Sequence, residues 1–448
     1  MSSRAGTRLH TRVLALAVAP LLVLSACGGG EQAGLEPPPL DAGESTTTAD
    51  VPSGGQVSPP EGWEEGTETE DQSEGPTDDS GEQTEEQTEE QTEEQTEEPT
   101  PEEGEPKEVT IGAAGDLLAH APVIANAQAN AGGDGYDFSA MFADVKGLLT
   151  DNDLTICHME TPLSPDNTNI TVPRVLVFNT PHELADAVAD AGYDGCDFAS
   201  NHTWDQGLSG LADTQQVIED AGLQYAGPVA DEADAGHHAS YQVDDVNVAQ
   251  LAYTYTIYNS GQPTTDIPPE APWLGESLWP VIGAEGIIED AEGAKADGAD
   301  FVVVSMHWGN EYWTDPTDQQ REIAAELLES DAVDLILGTH VHVIQPCEKI
   351  NGKYVIYGLG NFLSNQSPDT TAGKLRPETQ EGMIARFHLR KDADGEVSSQ
   401  MEFQPTRVQI DNHVIRLATP DQNAETYHRV VETMDRLGED ACDAEPLS

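Results

Sequence analysis

No lysine or arginine occurs between Arg12 and Lys107, while that span carries roughly a third of the chain's 83 aspartates and glutamates. The rest of it is mostly Gly, Pro, Ser, Thr and Gln, including the tetrad Gln-Thr-Glu-Glu repeated from Gln83 to Glu98. Such a segment buries too little apolar surface to offset the entropy of ordering it. A folded core must therefore begin near Lys107. As a flexible coil the span reaches about 50 Å, and self-repulsion lengthens it. It reads as a disordered acidic stalk over 27–106, although a cation-binding or wall-binding tail has the same composition. The formal net charge of -64 leaves the remainder acidic too, which argues against nucleic acid or an anionic bilayer as a partner.

Arg4, Arg8 and Arg12 precede an apolar run from Val13 to Leu24, followed by Ser25-Ala26-Cys27-Gly28. Basic region, apolar region and small residues before a cysteine resemble a bacterial lipobox. The expectation is a signal peptide over 1–26, lipid on Cys27, and an extracytoplasmic protein tethered to the membrane without spanning it. An ordinary signal peptide with an incidental cysteine is the alternative.

From Lys107 onward the texture changes. Short β-branched runs at Val109–Ala114, Leu154–Cys157, Asp194–Ala199, Val246–Tyr253, Phe301–Met306 and Val333–Leu337 predict strands. Helical patterns at Phe138–Leu149, His182–Asp190, Leu208–Ala221, Ile282–Ala296 and Asp318–Ser330 fall between them. This α/β order implies parallel strands covered by helices on both faces. Residues from roughly Lys353 to Ile415 read as further strands closing a sandwich, within one domain over 107–448.

Polar clusters follow five of the predicted strands, where α/β sheets collect functional side chains. They are Gly115-Asp116 with His120; His158-Met159-Glu160; Asn201-His202 with Asp205; His307-Trp308-Gly309; and Gly338-Thr339-His340-Val341-His342. Each alone is ordinary turn chemistry or a satisfied histidine. Together, carboxylate, amide and imidazole form the donor set expected of divalent Mn, Fe or Zn. His340 and His342 share a face on a regular strand, and in a tight loop can face two different metals.

These segments, with Tyr357-Gly358-Leu359-Gly360-Asn361-Phe362, together resemble the CapA (PgsA-like) family of capsule-synthesis proteins, associated with bacterial capsule and poly-γ-glutamate. The resemblance runs in order from about Val109 to Phe362. It implies a four-layer α/β/β/α metallophosphoesterase-like sandwich of the calcineurin type, with two divalent metals. By motif, Asp116 and His342 resemble ligands of a first metal, with His120 a third. Glu160 resembles the bridging carboxylate, and Asn201, His307 and His340 the ligands of a second metal. His202 resembles the histidine that protonates the departing group, and Asp205 its orienting carboxylate. The family usually reads Asn-Leu-Glu where His158-Met159-Glu160 stands here. His158 is either an added ligand or a strand-end residue, and the second reading is adopted.

The resemblance and the anchor together imply an envelope lipoprotein acting on capsule, poly-γ-glutamate or another wall polymer, beside capsule-synthase subunits. Its expected activity is metal-dependent hydrolysis of a phosphoester or of a γ-glutamyl or other amide bond. A non-catalytic accessory on the same fold is the alternative. A solute-binding lipoprotein fits less well, because such binders rarely need so many convergent imidazoles. Arg174, Lys374 and Arg376 are candidate clamps for an anionic polymer. Beyond Cys27, four cysteines allow three pairings. Cys157 and Cys196 sit at similar depth on strands expected to be neighbours, which favours Cys157–Cys196 and leaves Cys347–Cys442; four buried free thiols are the alternative.

Overall fold

The computed structural model describes residues 106–259, 265–438 and 441–447. The leader, Cys27 and the acidic stalk lie outside the described residues. From Lys107 the chain lays down β1 (Lys107–Leu117), β2 (Leu154–Met159), the two-residue strands β3 (Leu163–Ser164) and β4 (Thr180–Pro181), β5 (Gly195–Asp197) and β6 (Gln224–Ala226). A second series follows: β7 (Ala239–Val243), β8 (Val246–Thr254), β9 (Phe301–His307), β10 (Leu335–Thr339), β11 (Ile344–Ile350) and β12 (Lys353–Leu359). The chain then returns to the first series with β13 (Asn361–Leu363), β14 (Glu381–Lys391), β15 (Val397–Gln409), β16 (Val414–Leu417) and β17 (Glu445–Pro446). The first sheet runs β16-β15-β14-β1-β2-β5-β6, and the second β11-β12-β10-β9-β8-β7.

Both sheets contain a parallel run, as the alternating pattern predicted, but add antiparallel strands at every edge except β6, which pairs β5 in parallel. β14, β15 and β16 form a meander beside β1, and β7 and β11 run against β8 and β12. The purely parallel expectation is thus corrected at the edges, where short connections allow antiparallel hairpins.

Residue alternation explains the four layers. Along β9, Phe301 and Val303 join the core between the sheets, while Val302, Val304 and Met306 face helices α6 (Trp279–Ala296) and α7 (Asp318–Glu329). Along β2, Leu154 and Ile156 face the second sheet, while Cys157 and Met159 face outward. That outer face is covered by α1 (Ala121–Asn130), α2 (Ser139–Phe142), α3 (Lys146–Leu149), α4 (Glu183–Ala191) and α5 (Gly207–Asp220). The helix expected over Phe138–Leu149 is broken into α2 and α3. The expectations missed α1, whose alanines and asparagines give it little amphipathic contrast. α7 opens on a capping box in which Thr317 Oγ1 accepts from the Gln320 amide at 3.1 Å and Gln320 Oε1 from the Thr317 amide at 2.9 Å. Helix α8 (Ala424–Met434) places Val430 and Met434 in the core that both sheets share. Among the described residues no helix is long and apolar enough to cross a membrane.

Both expected disulfides form. Cys157–Cys196 joins directly opposed residues of β2 and β5, with Cα atoms 4.5 Å apart. Cys347–Cys442, with Cα atoms 5.6 Å apart, ties the segment after α8 to β11.

Candidate metal centre

Strand alternation aims most of the site. Leu154 and Ile156 face the second sheet, so His158 does as well. Cys196 faces outward, so Asp197 faces inward. The register pairs His158 with Asp197, one step beyond the outward disulfide. His307 follows Phe301 and Val303 on the inner face of β9, and so looks across at the first sheet. Asp116 does not follow from alternation, since it shares parity with outward Ala114. A register irregularity in the β1–β2 pairing between Ala113 and Asp116 turns it inward. Gly115 permits this close passage: a Cβ there would strike the Gly360 carbonyl, which accepts from the Asp116 amide at 2.9 Å. His340 and His342 lie in the turn after β10 with left-handed φ of 85° and 57°. Such strain in two non-glycine residues marks a turn held by its surroundings.

The side chains converge at the carboxyl ends of both sheets. His342 Nδ1 lies 2.9 Å from Asp116 Oδ2 and 3.2 Å from Asn361 Oδ1, and its Nε2 is 3.5 Å from Glu160 Oε1. His307 Nε2 meets Asn201 Oδ1 at 3.0 Å. The His340 ring lies 4.6 Å from those of His307 and Tyr255. His158 Nδ1 is 2.6 Å from Asp197 Oδ1, and His202 Nδ1 is 2.7 Å from Asp205 Oδ2. Asp116, Glu160, Asn201, His307, His340 and His342 are all buried.

The electrostatics describe a cluster rich in acceptors. Burial and neighbouring imidazoles hold His307 and His340 well below the usual histidine range, so both rings are neutral donors of a lone pair. Burial pushes the Glu160 carboxyl up, against the pull of His342. Burial also opposes charge on His342, but Glu160 and Asp116 overcome it and raise that ring. His158 is likewise penalised by burial, yet Asp197 raises it to about 9. Both oxygens of Glu160, His158 Nε2 and His340 Nδ1 are buried with no hydrogen-bond partner. Orphaned polar atoms cost on the order of 1–3 kcal/mol each, more when charged, and several at one point are what a cation would satisfy. Asp116, His158 and Glu160 bring donor atoms within 4.8 Å of one another, and so do Glu311, His340 and His342. The residues present therefore fit divalent cations in two adjoining groups.

Residues 110–366 match the family described as bacterial capsule synthesis protein PGA_cap. The chain belongs to this family. It is 29% identical over 257 residues to the PGA biosynthesis protein CapA of Bacillus subtilis (strain 168), covering 57% of this chain and 63% of that one. It is 28% identical over 290 residues to the capsule biosynthesis protein CapA of Bacillus anthracis, covering 64% and 65%. The chain thus spans a little under two thirds of the length of these relatives. Among solved structures it is similar to the calcineurin-like phosphoesterase YfkN from Bacillus subtilis, at 14% identity and a TM-score of 0.37, covering 73% of this chain and 99% of that one.

Of the residues selected by resemblance to the CapA (PgsA-like) family, the structure gathers Asp116, Glu160, Asn201, His307, His340 and His342, with the His202–Asp205 pair beside them. His120 stands apart. Its Nδ1 faces the Leu118 carbonyl at 3.1 Å and its ring meets the edge of Phe178. It belongs to neither donor group, and burial lowers its pKa to about 3. His158, read as a strand-end residue, presents an Nε2 without a hydrogen-bond partner beside Asp116 and Glu160, so the alternative of an added ligand stands with it. Three contributors were missed. Asp197 lies inside the predicted strand run Asp194–Ala199 and signals nothing alone. Glu311 is an acidic loop residue four past His307. Asn361 had been noted only as part of a motif. The sequence signal available for Asp197 was its place one residue after the cysteine opposite Cys157.

Proposed function

We propose that this PGA_cap protein is a lipid-anchored, extracytoplasmic hydrolase that acts on poly-γ-glutamate or a related anionic envelope polymer through a dinuclear metal site. The observation that carries the reading is the pair of neighbouring donor groups, five of whose six residues are buried, together with the buried Glu160 oxygens, His158 Nε2 and His340 Nδ1 that have no hydrogen-bond partner. Relatives named for PGA and capsule biosynthesis support the polymer context, and the leader sequence supports the anchor.

Asp116, His158 and Glu160 would hold one cation and His340, His342 and Glu311 the other, with Asn201 and His307 alongside. Two cations there would supply the charge that acidifies a water and polarises a phosphoryl or carbonyl group. The protein's own acid–base group is His202. Asp205 Oδ2 accepts from His202 Nδ1 and also from the Phe178 amide at 2.6 Å, so the carboxylate cannot swing away. The proton on Nδ1 is thereby fixed, and Nε2 is the atom left to protonate a departing group.

The test is elemental analysis of the full-length protein, with assays on a generic phosphodiester and on poly-γ-glutamate. About two divalent metals per chain and turnover abolished by Glu160→Gln are expected. Absence of both metal and turnover would leave an accessory that binds polymer or synthase subunits.

A further inference from the structure

Sixteen lysines and arginines follow Glu105, and their partners are unevenly distributed. Twelve lie within 4.0 Å of a carboxylate. Lys353 is buried, with its ammonium on the Ser330 carbonyl at 2.5 Å. The other three, Arg174, Lys374 and Arg376, are exposed and pair with no carboxylate among the described residues. In a chain with 83 acids against 19 bases, a cation left without an acid is the exception.

All three stand on the two segments that rim the metal centre. Arg174, in a left-handed turn with φ 67°, tips the loop that runs to Phe178. That loop is fixed to the site by the Phe178 amide on Asp205, by the Phe178 ring 4.6 Å from His202, and by the Leu176 carbonyl, which accepts from Asn259 at 3.5 Å. Asn259 in turn accepts from Asn201 Nδ2 at 3.2 Å. On the other side, Arg376 donates to the Tyr312 carbonyl at 2.9 Å, and the Tyr312 ring lies 6.0 Å from that of His342. The segment carrying Lys374 and Arg376 is pinned where Asn361 Nδ2 donates to the Thr379 carbonyl at 2.8 Å, while Asn361 Oδ1 faces His342. One rim therefore hangs on Asn201 and His202, the other on His342. The same rims carry Val172, Val175, Leu176, Val177 and Trp313, five of the six large hydrophobic side chains exposed among the described residues.

We propose that Arg174 on one rim and Lys374 with Arg376 on the other form an anion clamp across the mouth of the metal centre. Its ligand is an extended chain bearing an anionic group on every repeat, with the apolar spacer between charges lying on Leu176, Val177 and Trp313. Guanidinium groups match carboxylate and phosphate alike, so the shared chemistry is the repeated anion. An otherwise acidic surface confines such a chain to this track. The clamp deepens the hydrolase reading and rests on it for the position of the reacting bond.

The experiment measures binding of fluorescent γ-linked glutamate oligomers and, separately, oligophosphates of similar length to the full-length protein across a salt series. The triple variant Arg174→Ala, Lys374→Ala, Arg376→Ala should bind at least about tenfold more weakly and with a shallower salt dependence, at unchanged metal content. Lys146→Ala, which removes a cation already paired with Asp190, should bind as the parent does. Preference between the two probes assigns the anion as carboxylate or phosphate. Failure of the parent to bind either probe, or equal binding by the triple variant, overturns the clamp. Turnover of a small phosphodiester or of poly-γ-glutamate by the parent is scored independently. Its absence beside clamp-dependent binding removes the hydrolase reading alone, and its presence beside clamp-independent binding removes the clamp alone.

Discussion

Replacing Asp197 by asparagine should loosen the metal centre from behind while keeping the fold. Asp197 and His158 face each other in the β2–β5 register, with side chains 3% and 2% exposed and 2.6 Å between Oδ1 and Nδ1. The carboxylate fixes the proton on Nδ1, so that Nε2 is the nitrogen presented to Asp116 and Glu160. It also reverses the effect of burial on the ring, which reaches about 9. Asparagine has the same shape but no charge, and its amide can turn a donor toward the ring. Loss of such a carboxylate behind a ligating histidine typically weakens metal affinity 10–100-fold, which is about 1.4–2.7 kcal/mol. Replacing a charged acceptor by a neutral one costs the fold a further ~1 kcal/mol. Competition with a chelator of known affinity measures the first, and thermal unfolding of the metal-free protein the second. A variant that folds and binds metal within twofold of the parent would refute the argument, and His158 would revert to a packing residue.

The two disulfides should separate in their effects. Replacing Cys347 and Cys442 by serine opens the longer loop, with 95 residues of separation against 39, and by chain entropy should cost about 0.8 kcal/mol more stability than losing the other bridge. Removing Cys157 and Cys196 should instead lower metal affinity, because that bridge stands one residue from the His158–Asp197 pair; unfolding curves and metal titrations on both variants check this. Lys295→Met leaves Asp334, 1% exposed, without its 2.7 Å ammonium partner, and should cost about 3–5 kcal/mol at pH 7. Burial already raises the Asp334 carboxyl, so its folded state takes up a proton more readily than its unfolded one. The deficit should therefore shrink as pH falls through the folded pKa, and unfolding at pH 7 and 5 gives the sign.

Much of this protein follows from local rules. A span without cations and with little to bury points to a core that begins near Lys107, and the first described strand begins at that residue. Period-two alternation in Leu154-Thr155-Ile156-Cys157-His158 puts His158 and the cysteine on opposite faces of one strand. The same rule on Phe301–His307 turns His307 toward the other sheet. Strand ends rich in His, Asp, Glu and Asn foretell a cluster of candidate metal ligands, because five such ends on parallel strands open on one side. Local rules do not reach what depends on the two sheets meeting. Asp116 faces inward only through a register shift beside Gly115 and Gly360. His340 and His342 take their places because the surrounding structure holds both in left-handed backbone. Glu311 and Asn361 approach them from loops far along the chain. That Arg174, Lys374 and Arg376 pair with no carboxylate among the described residues is also a tertiary fact, because in so acidic a chain only packing decides which cations are left without one. The sequence alone determined where most central strands lie and which residue types gather at their ends. The tertiary structure decided which atoms meet, because contacts between face-packed sheets depend on register and backbone handedness that no local periodicity encodes.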